Sequence, residues 1–239
     1  MLKERVFLVG GCVRDTLMNK PINDKDYVVI DSSVEEMKSL GFTQVGKDFP
    51  VFLHPETKDE YALARTERKS GKGYNGFVTS INNITLEDDL ARRDLTINSI
   101  AYNDITKEFI DPYEGLSDIY NKVLRHTTKA FKEDPVRVLR LARFSVKFND
   151  FKIAEETKQL VLDIKKEGLL NELTPERISK ELDKVFMMNN SSIFFKTLLE
   201  LNVLDILFPE IYRMVGAKQK EEYHAEGDVF NHVMMVIDA

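Results

Sequence analysis

Residues 6–30, VFLVGGCVRDTLMNKPINDKDYVVI, constrain this chain more than any other stretch. An apolar run, Val6-Phe7-Leu8-Val9, breaks at Gly10-Gly11; a short helical segment carrying Arg14 and Asp15 follows, then a turn at Pro21-Ile22-Asn23. The stretch closes on Asp24-Lys25-Asp26 and a second apolar run, Tyr27-Val28-Val29-Ile30. Apolar runs of this length, bounded by Gly and Pro, read as buried strands rather than helices. Side chains at i and i+2 of a strand share one side, so Asp24 and Asp26 are expected to project together from the start of the second strand. Adjacent carboxylates repel unless a cation lies between them, and hard oxygen ligands suit Mg²⁺. Gly10 and Gly11 leave room for a triphosphate to approach backbone N–H groups, with Arg14 one helical turn on. The pattern predicts a phosphate cradle facing a metal pair. Taken singly, a Gly-Gly between strand and helix is usually a tight turn, and D-x-D is often solvated turn chemistry; the combination is what points to a site. The absent third glycine excludes the G-x-G-x-x-G dinucleotide fingerprint.

A chain of 239 residues, 43% hydrophobic and 31% charged, holds one large domain or two small ones around ordinary cores. Its one cysteine, Cys12, excludes an internal disulfide framework and predicts a reducing, cytoplasmic setting. No apolar stretch reaches the length of a membrane span, and the N-terminus lacks a signal peptide's long apolar region, so no membrane association is expected. The formal net charge of −6 excludes nucleic-acid binding through bulk positive charge and leaves that work to local basic stripes.

Beyond the first motif, Asp31-Ser32-Ser33 are expected to cap a short helix with Val34, Met37 and Leu40 on one face and Gly41 at its end. Residues 44–45, 51–54 and 60–64 read as short strands completing a mixed sheet. Composition then shifts to Gly, Ser, Lys and Arg over residues 65–80, RTERKSGKGYNGFVTS, where neither a helical nor a strand period survives. A mobile basic loop is expected there, either a solvated surface loop or part of the site. Thr85 caps a helix running toward Arg92-Arg93-Asp94, and the apolar residues 95–101 place that charge cluster at the edge of the core.

Asp134 as cap and Pro135 at the first helical position make a strong helix start. At about 100° per residue, Arg137, Arg140, Arg143 and Lys147 fall within one arc and mostly apolar residues cover the rest. A solvated face normally mixes charge signs. This arc carries cations alone on a helix otherwise buried, so it is expected to face a polyanion. From residue 151 to 207 the pattern is helical, with segments around Ala154 to Ile164, from Thr174, and from Ser192, ending at Phe208-Pro209-Glu210.

In order along the chain, GGCVRD, DKD, RRDLTINSIA and EDPVRVLRLARF, with LTPER further on, resemble the motifs of polymerase-β superfamily nucleotidyltransferases. Within that superfamily they are similar to the bacterial class II CCA-adding tRNA nucleotidyltransferases. Residues 47–77, KDFPVFLHPETKDEYALARTERKSGKGYNGF, are closest to the gammaproteobacterial-type, HD-domain-bearing members. The resemblance covers essentially the whole chain. It implies an α+β fold: a polymerase-β-like nucleotidyltransferase head, a mixed sheet with helices, over residues 1–135. An all-α neck and body over residues 136–215 and the start of a truncated HD-like region at 216–239 would follow. It implies template-independent addition of C, C and A to tRNA 3′ ends from CTP and ATP, with Mg²⁺ held by Asp24 and Asp26 as catalytic carboxylates. By the same resemblance Gly11 and Arg14 contact the nucleotide, Arg93 and Asp94 sense its ribose, Asp134 and Arg137 read the base edge, and Arg140 and Arg143 bind phosphates. An Asp accepts from the exocyclic amine shared by cytosine and adenine while an Arg donates to ring acceptors, so one pair serves both bases and rejects guanine and uracil. The implied partners are tRNA, CTP and ATP, with no protein partner evident. The chain stops at Ala239, after His232, with no further His-Asp pair, so the hydrolase activity of full-length HD-bearing members is expected to be absent.

Partial-specificity relatives stay open: a CC-adding enzyme, an A-adding enzyme or a poly(A) polymerase. So does a non-catalytic RNA- or nucleotide-binding module. By resemblance, a poly(A) polymerase usually brings a basic extension, which this acidic chain lacks, and CC-adding relatives lose the loop that residues 65–77 retain. A non-catalytic module is expected to lose a metal carboxylate, and both are present.

Overall fold

The run Val6-Phe7-Leu8-Val9 forms strand β1 (Val6–Val9), which pairs antiparallel with β2 (Asp26–Val29), Val6 opposite Val29 and Val9 opposite Asp26. This is seen in a computed structural model that describes residues 2–22, 24–45, 51–69, 77–80, 84–219 and 227–239; for 66–69 and 77–80 it describes the backbone alone. Helix α1 (Gly11–Leu17) joins the two strands. Helix α2 (Val34–Ser39) follows β2, started by the Ser33 side chain accepting from the Glu36 N–H, and the chain turns at Gly41 with φ 85°. Strands β3 (Thr43–Val45), β4 (Val51–Leu53) and β5 (Glu60–Leu63) lie where the apolar residues predicted them. Among the described residues, these strands join β8 (Ala101–Asn103) and β9 (Glu108–Ile110) in one seven-stranded mixed sheet, ordered β3-β4-β5-β2-β1-β8-β9. Strands β2 and β5 run parallel, and every other neighbouring pair is antiparallel.

Alternation sorts the side chains onto two faces. Phe7, Val9 and Val28 pack with Leu86 and Leu90 of helix α3 (Leu86–Ala91). Val29, Leu63 and Phe52 pack on the other side with Met37 and Phe42. Each fully buried Val, Leu or Phe contributes about 1.5–3 kcal/mol, so both faces hold β2 in place. Leu40, expected on the buried face of α2, is instead 47% exposed: the helix stops at Ser39 and the chain has begun its turn.

The expectation of a structureless stretch over residues 65–80 is corrected at its flanks. Strands β6 (Thr66–Lys69) and β7 (Phe77–Ser80) pair antiparallel as a separate hairpin, Thr66 opposite Ser80 and Lys69 opposite Phe77. Backbone pairing needs no apolar alternation, which is why composition hid it. The glycine-rich centre of that stretch, residues 70–76, lies outside the described residues. Helix α4 (Gly115–Asn121) and the segment around Arg125 complete the first of two compact units, residues 1–121 with 125–133.

The second unit comprises residues 122–124 with 134–239. Its centre is α5 (Val136–Lys147), whose Val138, Leu139, Leu141 and Ala142 are fully buried. The unit also contains α6 (Glu155–Lys166), α7 (Pro175–Phe186), α8 (Ser192–Glu200), α9 (Leu204–Leu207), α10 (Pro209–Tyr212) and α11 (Val229–Asp238), with α7 and α8 packed on α5. Helix α7 starts at Thr174-Pro175 as its sequence predicts. One short parallel pair, β10 (Val123–Leu124) with β11 (Lys152–Ile153), adds a strand element to a unit whose pattern reads as helical. No helix among the described residues is long and apolar enough to cross a membrane.

Gly115 is required by space: a β-carbon there would lie 2.3 Å from the Thr96 carbonyl oxygen and 2.8 Å from Ile100 Cγ1. Because one of those atoms is backbone, Gly115→Ala is expected to destabilise the first unit by about 1–3 kcal/mol, the cost typical of overpacking. Urea unfolding measures this; an unchanged midpoint would contradict the placement.

Candidate active site

The β1–β2 register brings Asp26 level with Val9, the last residue before the two glycines. Gly10 then adopts φ 75°, ψ −136°, a region essentially closed to residues with a β-carbon, and caps α1 without a side-chain hydrogen bond. A β-carbon on Gly10 would also meet Arg93 Nη1 at 3.0 Å. The backbone conformation is what requires glycine, and a β-carbon would in addition crowd the Arg93 guanidinium. The first-turn N–H groups of α1 are left without an intrahelical partner.

Asp24 and Asp26 were both expected on the strand. The strand begins at Asp26, and Asp24 lies in the irregular segment before it, exposed. The two carboxylates still act on one another. Asp26 keeps access to solvent, yet the protein crowding its carboxyl pushes its pKa up; the Arg93 charge opposes this and Asp24 adds to it. Among the described residues no three His, Cys, Asp or Glu side chains converge, so the available donor set is this pair of carboxylates. Two hard oxygen donors open to solvent fit Mg²⁺, which is commonly held by one or two carboxylates with waters and substrate phosphates completing its octahedron.

Cys12, on the first turn of α1, donates its S–H to the Val9 carbonyl at 3.1 Å. Burial pushes its pKa up; a backbone hydrogen bond from Asp26 works against this and the Asp26 charge adds to it.

The charge cluster after α3 is built around a carboxylate that sequence reading passed over. Asp89 is 0% exposed. Its Oδ1 accepts from Arg92 Nη2 at 2.6 Å and Arg92 Nε at 3.0 Å, and its Oδ2 from Arg93 Nη2 at 3.2 Å. Burial raises the Asp89 pKa, but the Arg92 and Arg93 charges outweigh that and hold it below the ordinary carboxylate range. The signal was present: Asp89 stands three and four residues before the two arginines, the spacing at which helical side chains meet.

Asp94 is buried and accepts from the Leu95 N–H and from Asn98 Nδ2, each at 2.9 Å. Asn98 Oδ1 in turn accepts from Arg14 Nη1. Arg14 is only 4% exposed and also donates from Nε to Asp15 at 2.8 Å. A β-carbon on Gly11 would lie 3.4 Å from Arg14 Nη2, so Arg14 folds back over the glycine turn. The first unit thus gathers Gly11, Arg14, Asp26, Arg93 and Asp94 around one end of β1, with Asn98 as the unforeseen link between Arg14 and Asp94.

The remaining predicted residues belong to the second unit. Helix α5 starts at Val136, not Pro135, and Asp134 Oδ1 accepts from the Val136 N–H at 3.2 Å, capping from one position further out than expected. Arg177, from the LTPER segment, donates Nη1 to Asp134 Oδ1 and Nη2 to Asp134 Oδ2, both at 2.8 Å. This forked pairing fixes the plane of the carboxylate. Arg137 is buried, Arg140 half-buried and Lys147 exposed. Arg143 is buried with its Nε 2.6 Å from Glu181 Oε2, and Lys184 Nζ reaches Glu181 Oε1 at 3.0 Å. The anion met by this cation of the α5 arc is therefore a carboxylate of the chain itself. Burial works to raise the Glu181 pKa, but the Arg143 charge and the hydrogen bonds from Arg143 and Lys184 prevail and hold it below the usual range.

Residues 6–125 match the family model described as the poly A polymerase head domain, and residues 150–214 match the one described as a probable RNA and SrmB-binding site of polymerase A. A relative from Mannheimia succiniciproducens, named multifunctional CCA protein, is 52% identical over 98% of this chain and 56% of its own length. The chain thus spans a little over half the length of the curated relatives it matches. A solved structure of a CCA-adding enzyme with ATP shares 29% identity at a TM-score of 0.70, covering 86% of this chain and 48% of that one. The Thermotoga maritima CCA-adding enzyme complexed with tRNA shares 30% identity at a TM-score of 0.68, over the same shares.

The buried Arg143–Glu181 pair sets a stability test. Glu181→Gln removes the charge facing Arg143 and is expected to cost about 3–5 kcal/mol near neutral pH, as breaking a buried ion pair does. Because the folded-state pKa of Glu181 is depressed, its contribution is present above the unfolded carboxylate pKa and fades as pH falls through the folded value. Urea unfolding of both proteins across that range should show the stability gap closing toward acid; a gap independent of pH would refute the pairing.

Proposed function

Because this chain belongs to the family of the poly A polymerase head domain, we propose that it adds C, C and A to tRNA 3′ ends from CTP and ATP without a nucleic-acid template. The carrying observation is the register that sets Asp26 opposite Val9, the residue before the glycine turn, with Asp24 acting on Asp26 and Arg93 lying against Gly10. The names of the relatives, with ATP and tRNA in two of the solved structures, support this substrate choice. In the reaction the RNA 3′ oxygen bonds to the α-phosphorus of the nucleotide, and pyrophosphate leaves.

Asp24 and Asp26 would hold Mg²⁺, whose chemistry is to neutralise charge building on the transferred phosphoryl group. The glycine turn leaves the first-turn N–H groups of α1 open to phosphate oxygens. Arg93 supplies a guanidinium beside that turn for the nucleotide, and Arg14 stiffens the turn through Asn98 and Asp94. Asp134, its plane fixed by Arg177, accepts the exocyclic amine of cytosine or adenine, and Arg137 donates to the ring acceptor. Arg140 is assigned to phosphate contact and Arg143 to the support of α5. We retain residues 1–135 as the head, 136–215 as neck and body, and 216–239 as the start of an HD-like region.

Incubating the protein with tRNA lacking its 3′ end and each labelled nucleotide tests the proposal. Sequential CC and then A supports it; arrest at CC or incorporation of A alone replaces it with a partial specificity. Asp24→Asn and Asp26→Asn are each expected to slow addition by about 10³-fold or more, equivalent to several kcal/mol of lost charge stabilisation, without unfolding the protein. Near-normal turnover in either would reject the metal assignment. Asp134→Ala should relax discrimination against UTP and GTP by about 1–3 kcal/mol, one paired polar contact. An unchanged UTP:CTP incorporation ratio would reject base reading by Asp134.

A further inference from the structure

Asp89 does more than neutralise two arginines. Besides Arg92 and Arg93 it accepts the backbone N–H of Arg65 at 3.3 Å. Arg92 Nε, at 3.0 Å from Asp89 Oδ1, also lies 3.0 Å from the Arg65 carbonyl oxygen and donates to it. Both backbone polar groups of Arg65 are thereby held by the Asp89–Arg92 pair. Arg65 stands between the end of β5 at Leu63 and the start of β6 at Thr66, so it is the root from which the β6–β7 hairpin leaves the sheet.

The same carboxylate governs Arg93. Among the described residues, the one hydrogen bond made by the Arg93 guanidinium is to Asp89, and its Nε is buried with no partner. Arg93 Nη1 nevertheless lies against Gly10, and its charge bears on Asp26. A guanidinium held at a single nitrogen turns with whatever holds it. Any shift of the Arg65 root changes how Arg92 and Asp89 share their bonds, and among the described residues Arg93 has no second hydrogen bond to keep its place.

We infer that Asp89 is a positioning residue that couples the root of the β6–β7 hairpin to the Arg93 guanidinium, so that hairpin order and nucleotide binding rise and fall together. The inference rests on the proposed role of Arg93 beside the nucleotide, but the latch on Arg65 stands independently of it. A merely structural Asp89 would lower overall stability while leaving hairpin and nucleotide uncoupled.

Hydrogen exchange of the full chain, with CTP and Mg²⁺ present or absent, separates these cases. In the unaltered protein, CTP should slow exchange at residues 66–69 and 77–80. In Asp89→Asn, that protection should vanish, and CTP affinity by equilibrium dialysis should fall about tenfold, within the range of ordinary coupling energies. Because Asp89→Asn disturbs a buried charge, Arg92→Gln serves as the second variant: it removes the bond to the Arg65 carbonyl but leaves Asp89 facing Arg93. Arg92→Gln takes one cation from the buried Asp89 and should lower the urea midpoint, yet under conditions where it remains folded it should lose CTP protection of the hairpin. Persistence of CTP protection in either variant would overturn the coupling. If the unaltered protein neither binds nor incorporates CTP, the nucleotidyltransferase reading fails. The latch is then read from hairpin exchange without nucleotide: faster exchange in both variants upholds it, and unchanged exchange overturns it.

Discussion

The antiparallel pairing of β1 with β2, Val9 against Asp26, is the constraint on which the rest of the first unit depends. A slip of one residue would send every side chain of a strand to the opposite face. It would drive Asp26 toward the face that α2 covers and carry Val28 away from Leu86 and Leu90. Burial on both faces of the sheet makes that slip costly, so the apolar core is what holds a carboxylate at the sheet's end, level with a glycine turn. Site geometry here is a by-product of packing several residues away.

How much of this was legible in the sequence follows from the range of each interaction. The strand–Gly-Gly–helix–strand unit, the Ser33, Thr85 and Thr174 starts, and the burial of α5 are local, and local composition spelled them out. The β6–β7 hairpin was not, because its pairing is made by backbone groups and its residues carry no apolar alternation. Asn98 and Asp89 escaped for a different reason: Asn98 stands in RRDLTINSIA without a role of its own and Asp89 stands outside the quoted motifs, and each acquires its role only where α3, the glycine turn and the segment after β5 converge.

The arginine arc on α5 shows that a stripe of like charge can meet one of its counter-charges within the chain. Same-sign charges on a buried helix do require counter-charges. For Arg143 that charge is Glu181, 38 residues further along the chain, a separation no periodicity exposes. Asp134 and Arg177 make the same point, being 43 residues apart. Both pairs tie α7 to α5, so the helix that carries the base-reading candidates is anchored by charge as well as by its apolar side.

Cys12 gives the molecule a built-in timer. The thiolate is the species that reacts with alkylating agents and oxidants. Here the S–H is buried against Val9 and its ionisation is disfavoured by that burial and by the neighbouring Asp26 charge. With no other cysteine in the chain, the rate at which a thiol reagent is consumed reports how often the start of α1 lifts away from β1. Local opening at the glycine turn can therefore be clocked by chemistry, with no label introduced.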